Sequence, residues 1–283
     1  MRRLLKLLIW IIILYFTISF FTGREGLAIF SFQKPSLSDE VQSVLKDTEG
    51  NFGIYIKNLS SGKTFALNEH RVFDPASLYK MWVMGAVYEQ IKEGKLKEDD
   101  TLVANIEGLN KKFGIEPDDA ELKEGVISFS IKSALEQMIT ISHNYAAFIL
   151  LEKAGNDNIN NFLKRYGLDD SSIGPEVKTT AQDISQFLEG IYKGEVVDAQ
   201  YSQKMIDALA KQQLNDRLPK YLPEGTKIAH KTGNLNLFEN DAGIVYSPAG
   251  DYIIVVLTET NDPLGAREKI ARISEAVYKF FNK

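Results

Sequence analysis

The chain has 283 residues, 44% hydrophobic and 25% charged, a globular balance that allows one large domain or two smaller ones. It contains no cysteine, which excludes disulfides, thiolate catalysis, cysteine-ligated zinc and iron–sulfur clusters; its three histidines, His70, His143 and His230, lack metal-binding spacing, so no metal or other cofactor is expected. The net charge of −5 is uneven: residues 1–35 carry Arg2, Arg3, Lys6, Arg24 and Lys34 against Glu25, leaving an acidic body without the basic face a nucleic-acid partner requires.

The chain opens with a basic cap followed by an apolar and hydroxyl run from Leu7 to Phe21. Basic residues ahead of such a run read as an export signal. No Ala-x-Ala cleavage site follows, so the expectation is an uncleaved signal-anchor with the body outside the cytoplasm, or a secreted protein if the segment is removed. Residues 1–36 are then anchor and tether, and the membrane is contacted through them. Beyond, Glu40–Leu45 suggests a helix. The segments 52–57 and 63–68 are strand-like, with a turn at Asn58–Gly62. From Ser77 to Glu93 a strongly apolar helical pattern (Leu78, Met81, Trp82, Met84, Val87, Ile91) predicts a helix buried on most sides. More helical segments follow between Ile131 and Leu214. Three β-rich runs come next, at 228–232, 242–246 and 252–258; Ser247-Pro-Ala-Gly-Asp251 forms the turn between the last two. Residues 264–281 read as a closing amphipathic helix. Strands, helices, strands, helix predicts an α+β fold: an antiparallel sheet flanked by helices and built from both chain ends (37–75 and 217–283), with an inserted all-helical domain (76–216) and a cleft between them.

Three short motifs could carry chemistry. In Ser77-Leu-Tyr-Lys80 the i, i+3 spacing brings the lysine over the hydroxyl, and a buried lysine with a lowered pKa can act as a base. The same spacing recurs at Ser31/Lys34, Ser43/Lys46 and Ser60/Lys63, but only Ser77 follows Pro75-Ala76 and begins a long apolar helix. Ser142-His143-Asn144 occurs once, ahead of another apolar helix. Lys231-Thr232-Gly233 also occurs once, at a strand end, where a lysine and a hydroxyl could hold a carboxylate and the glycine could let a substrate approach closely. Taken singly, each has a plain alternative: a capping serine for the first two, a strand running into a turn for the third.

Together, and in this order, the three motifs resemble the Ser-x-x-Lys, Ser-Asp-Asn and Lys-Thr-Gly set of class A β-lactamases and penicillin-binding proteins. Asp74-Pro-Ala-Ser-Leu-Tyr-Lys80, His230-Lys-Thr-Gly233 and Asn240-Asp-Ala-Gly243 look like that family over residues 37–283. The resemblance implies Ser77 as nucleophile and Lys80 as its base. Ser142 would relay a proton to the leaving nitrogen, and Asn144 would orient Lys80 and the substrate amide. Lys231 and Thr232 would bind a substrate carboxylate, and the Ser77 and Asn234 N–H groups, the latter just after Gly233, would form an oxyanion hole. Two positions depart from the pattern. His143 replaces the family's aspartate and is expected to be structural. The segment Gly167–Lys178 is shorter than the family's Ω-loop and lacks its Glu-x-x-x-Asn, leaving Asp169, Asp170 and Glu176 as carboxylates, with Glu176 the best substitute for a deacylating base. The resemblance therefore implies a serine hydrolase that opens β-lactams through an acyl-enzyme. A D,D-peptidase acting on cell-wall peptides is the alternative, and a β-lactam-binding sensor without turnover a third.

Overall fold

In a computed structural model, which describes residues 34–283, the sheet is assembled from strands that are far apart in sequence. β1 (Asn51–Asn58) and β2 (Thr64–Leu67) form the first hairpin; β5 (Ile228–Leu235), β6 (Phe238–Val245) and β7 (Tyr252–Glu259) come from the other end of the chain. Their order is β2-β1-β7-β6-β5, antiparallel throughout. The longest-range pairing, Asn51 opposite Glu259 to Asn58 opposite Tyr252, puts β7 in the centre. That explains its unbroken apolar run Tyr252–Leu257: alternate side chains point to opposite faces, and both faces are covered. Ile254 and Val256 pack with Leu37, Val41, Ile270 and Ile273 from α1 (Leu37–Leu45) and α9 (Pro263–Phe281). Ile253, Val255 and Leu257 face the helical part of the chain.

The middle of the chain supplies α2 (Lys80–Lys92), α3 (Ile106–Lys112), α4 (Ile131–Thr140), α5 (Asn144–Ala154), α6 (Asn156–Arg165), α7 (Ala181–Lys193) and α8 (Ala199–Leu209). α2 is the hub. Met81, Trp82, Val83, Met84 and Val87 are fully buried, as its all-round apolar pattern predicts. Residues 36–283 form one compact unit. The antiparallel sheet flanked by helices agrees with the sequence expectation, with one addition in the middle segment. β3 (Thr101–Asn105) and β4 (Val126–Ser130) make a separate two-stranded sheet. Among the described residues no helix is long and apolar enough to cross a membrane. The expected N-terminal anchor lies outside the described residues.

Candidate active site

Ser77 does not sit on the α-helix itself. It lies in a 3-10 turn, Ala76–Tyr79, that runs into α2 at Lys80. With three residues per turn, side chains at i and i+3 eclipse, so Ser77 and Lys80 are stacked more directly than an α-helix would allow. The turn is forced. Ala76 has φ of +46°, a left-handed conformation that costs a non-glycine residue energy. Asp74 holds it there by accepting the Ala76 N–H at 2.7 Å. From the sheet, Asn240 Nδ2 donates to Asp74 O at 3.0 Å, while Asn240 Oδ1 accepts from Thr258 N on β7. No side chain caps the turn, so the Ser77 hydroxyl is not spent as an N-cap.

Lys80 is fully buried, and its Nζ donates to Ser142 O at 2.7 Å, Ser142 Oγ at 3.1 Å and Asn144 Oδ1 at 2.8 Å. Ser142 precedes α5 at φ of +58°, a strained position that turns both its carbonyl and its hydroxyl to Lys80. From the opposite side Lys231 Nζ, also fully buried, donates to the same Ser142 Oγ at 3.0 Å and to Thr232 O at 2.9 Å. One hydroxyl therefore bridges two lysines. Two ammonium groups so close, both stripped of water, cannot comfortably share full charge. Burial pushes Lys80 down to about 7, opposed by the Glu121 carboxylate. Lys231 is lowered as well, first by burial and then by the Lys80 charge, with Asp241 pulling the other way. Near neutral pH Lys80 can thus hold an unprotonated amine.

His143 caps α5: its Nδ1 accepts the Ala146 N–H at 3.1 Å, and its ring meets Phe129 edge-on. The structural role expected of it agrees with this geometry. It also means that His143, not Ser142, is the capping residue. Gly233 has a different use from the one its motif suggested. A Cβ there would lie 2.7 Å from Pro75 O and 3.1 Å from Ser77 N. The glycine lets edge strand β5 lie directly on the nucleophile's turn, which brings Asn234, the next residue, to the cleft beside Ser77. Thr232 and Lys231 are buried behind that wall, and Lys231 reaches the site through Ser142.

The cleft, ≈ 1120 Å3, is lined by Ser77, Ser142, Asn144 and Asn234 at its centre. The short loop contributes only Ile173, Gly174 and Val177 to it. Glu176 does not sit where its candidate role needs it. Its side chain is 71% exposed and pairs with Lys178 at 3.1 Å, because the segment closes on itself through the Ser172–Lys178 bridge. Asp169 and Asp170 are exposed too. Glu121, on the loop between α3 and β4, lines the cleft with Asp74, Glu152 and Asp157 and is the carboxylate bonded to Asn144; no sequence motif marks it. Among the described residues no group of His, Asp or Glu could hold a metal ion.

The chain as a whole is similar to known proteins. The family model described as the beta-lactamase enzyme family matches residues 36–281. The extended-spectrum beta-lactamase PER-1 of Pseudomonas aeruginosa is 22% identical over 277 residues, covering 88% of this chain and 89% of its own. Beta-lactamase VEB-1 of the same organism is 24% identical, covering 95% of each. Among solved structures, a beta-lactamase from Sphaerobacter thermophilus superposes with a TM-score of 0.77 at 26% identity, over 87% of this chain and 97% of that one. The structure of PBP-A gives 0.75 at 25% identity, over 87% and 95%.

Proposed function

The chain belongs to the beta-lactamase enzyme family, matched over residues 36–281, and on that premise we propose that it opens β-lactams as a serine hydrolase whose nucleophile is Ser77. The observation that carries the assignment is the buried lysine one 3-10 turn after Ser77, its Nζ bonded to the Ser142 hydroxyl that Lys231 also holds. Unprotonated Lys80 takes the Ser77 proton as Oγ attacks the lactam carbonyl. The developing oxyanion is received by the Ser77 and Asn234 N–H groups. As the C–N bond breaks, the proton passes through Ser142 to the leaving nitrogen, leaving an ester on Ser77. Water then cleaves the ester and restores the hydroxyl. Lys231 and Thr232 anchor the substrate carboxylate from behind Ser142: with Lys80 neutral, protonated Lys231 has one N–H beyond the two bonds it makes.

The second half of this cycle is the weaker one. A positioned general base typically contributes about 10²–10⁴-fold, and the loop that would carry it presents only Ile173, Gly174 and Val177 to the cleft. The acyl-enzyme accordingly accumulates. The absence of a loop carboxylate from the cleft lining also favours a second reading, a D,D-peptidase acting on cell-wall peptides, which needs the same acylation set. A related structure is that of a single-site variant of PBP-A as an acyl-enzyme complex with penicillin G. In either case the body works outside the cytoplasm, a placement supported by the basic cap and apolar run of residues 1–21.

The test is to mix the protein with a chromogenic β-lactam and follow adduct mass and product release together. A burst of one equivalent on Ser77 followed by slow release supports the reading, and Ser77→Ala abolishes the adduct while leaving the fold intact. An adduct on Ser43 or Ser60 overturns the site assignment. Fast release without a burst overturns the slow second step. Cleavage of a D-Ala-D-Ala peptide faster than of any β-lactam selects the second reading.

A further inference from the structure

The loop between α3 and β4 is anchored with unusual care for an exposed segment. Leu122 N–H donates to the Tyr145 hydroxyl at 3.1 Å. Its carbonyl lies 2.7 Å from the same hydroxyl and accepts from Asn110 Nδ2 at 2.8 Å. Tyr145 and Asn110 are buried, and they are themselves hydrogen-bonded at 2.8 Å. Both backbone groups of Leu122 are thus held from the core. The residue before it, Glu121, is delivered to the cleft wall. There Glu121 Oε1 accepts from Asn144 Nδ2 at 2.7 Å, while Asn144 Oδ1 accepts from Lys80 Nζ at 2.8 Å.

A side-chain amide has one end that only donates and one that only accepts. A carboxylate facing the donor end and an amine facing the acceptor end lock Asn144 in a single orientation. We propose that Glu121 is a positioning residue for acylation: through Asn144 it fixes the amide oxygen that holds Lys80, and it sets a carboxylate charge one side chain away from that lysine. This rests on the reading of Lys80 as the proton acceptor.

The charges around Lys80 make the consequence specific. Lys231 of β5 opposes it across Ser142, His143 stands at the head of α5, and Asp74 precedes the nucleophile's turn. Of these neighbours, Glu121 is the one that draws Lys80 upward against its burial. Removing the Glu121 charge disfavours protonated Lys80, so the unprotonated amine persists to lower pH.

The experiment measures the second-order rate of acylation by a penicillin from pH 5 to 9, as adduct mass on Ser77, for the full chain and two variants. Glu121→Gln keeps an acceptor for Asn144 Nδ2 and removes the charge. With the carboxylate charge gone from the far side of Asn144, its acid limb moves to lower pH by about 0.5–1 unit. Glu121→Ala also frees Asn144, so its plateau falls by about tenfold while the limb moves alike. A Gln variant whose limb stays within about 0.2 unit of the parent, on protein that is acylated at Ser77, overturns the inference and leaves the acylation reading standing. A parent chain with no Ser77 adduct overturns that reading and the inference with it. Should the Ala variant lose its fold, seen as a collapsed melting midpoint, the Gln arm alone decides.

Discussion

Gly233→Ala is the substitution whose effect the geometry defines most sharply. Gly233 lies in β5 outside the left-handed region, so alanine fits its backbone, and in a strand alanine is favoured over glycine by about 0.5–1 kcal/mol. On local grounds the change should stabilise. The added Cβ, however, lies 2.7 Å from Pro75 O, 3.1 Å from Ser77 N and 3.3 Å from Ala76 Cβ. Two of these are backbone atoms of a turn held by Asp74 and Asn240, so none can rotate away. Relief requires β5 and the turn to separate by several tenths of an ångström. Overpacking of this kind costs about 1–3 kcal/mol, which exceeds the local gain. For a body of this size each kcal/mol lowers the melting midpoint by about 2–4 °C. The larger effect falls on chemistry, because the separating surfaces carry the Ser77 and Asn234 N–H groups. Removing one oxyanion donor costs about 10²–10³-fold, so displacing the pair without removing either should slow acylation by about 10–100-fold. Single-turnover acylation by a labelled penicillin reads the rate, and thermal unfolding reads the stability. Wild-type acylation with an unchanged or raised midpoint would refute the reasoning, because it would mean the turn yields freely.

Three further outcomes are expected. Lys80 is held at about 7 when folded against 10.5 ordinarily, so between these values the unfolded chain carries the extra proton and stability rises with pH; the wild type should gain midpoint relative to Lys80→Met from pH 7 to 9, and parallel curves would sink the assignment. Glu176→Gln should leave burst and steady-state rates within about twofold, since an exposed pair with Lys178 contributes little, and a tenfold loss would return Glu176 to the site. Lys231→Ala should lower acylation by a carboxylate-bearing substrate at least about tenfold, the equivalent of about 1.4 kcal/mol. A substrate lacking the carboxylate should lose less, retaining only the effect of freeing Ser142 Oγ; equal losses would remove Lys231 from carboxylate binding.

Much of the fold was legible locally. The alternation in β1, the apolar run of β7 and the all-round apolar pattern of α2 are statements about neighbours two to four residues apart, and burial follows them. The small β3/β4 sheet was missed because its strands are five residues each, separated by α3 and the long loop that carries Glu121. Thr101-Leu-Val-Ala-Asn105 has no apolar–polar alternation, although Leu102 is buried and Val103 exposed; Ile127-Ser-Phe-Ser130 in β4 was the available signal.

The motifs were likewise visible as strings, and the repeated Ser-x-x-Lys spacing shows how little a string decides. Ser43 lies on α1 and Ser60 in a turn, at the same spacing from a lysine as Ser77. What distinguishes Lys80 is desolvation, and desolvation depends on what packs over it: Ser142 and Asn144 at the head of α5, and Lys231 from a strand near the other end of the chain. The same holds for Gly233, whose constraint is a turn distant in sequence, and for Glu121, whose partner Asn144 no local pattern announces. Backbone preference and side-chain periodicity act over one or two turns of chain, so the sequence by itself determined most of the elements and which side chains were candidates for chemistry. Proton affinity, amide orientation and close backbone approach are set by surroundings drawn from remote segments, and only the tertiary structure decided them.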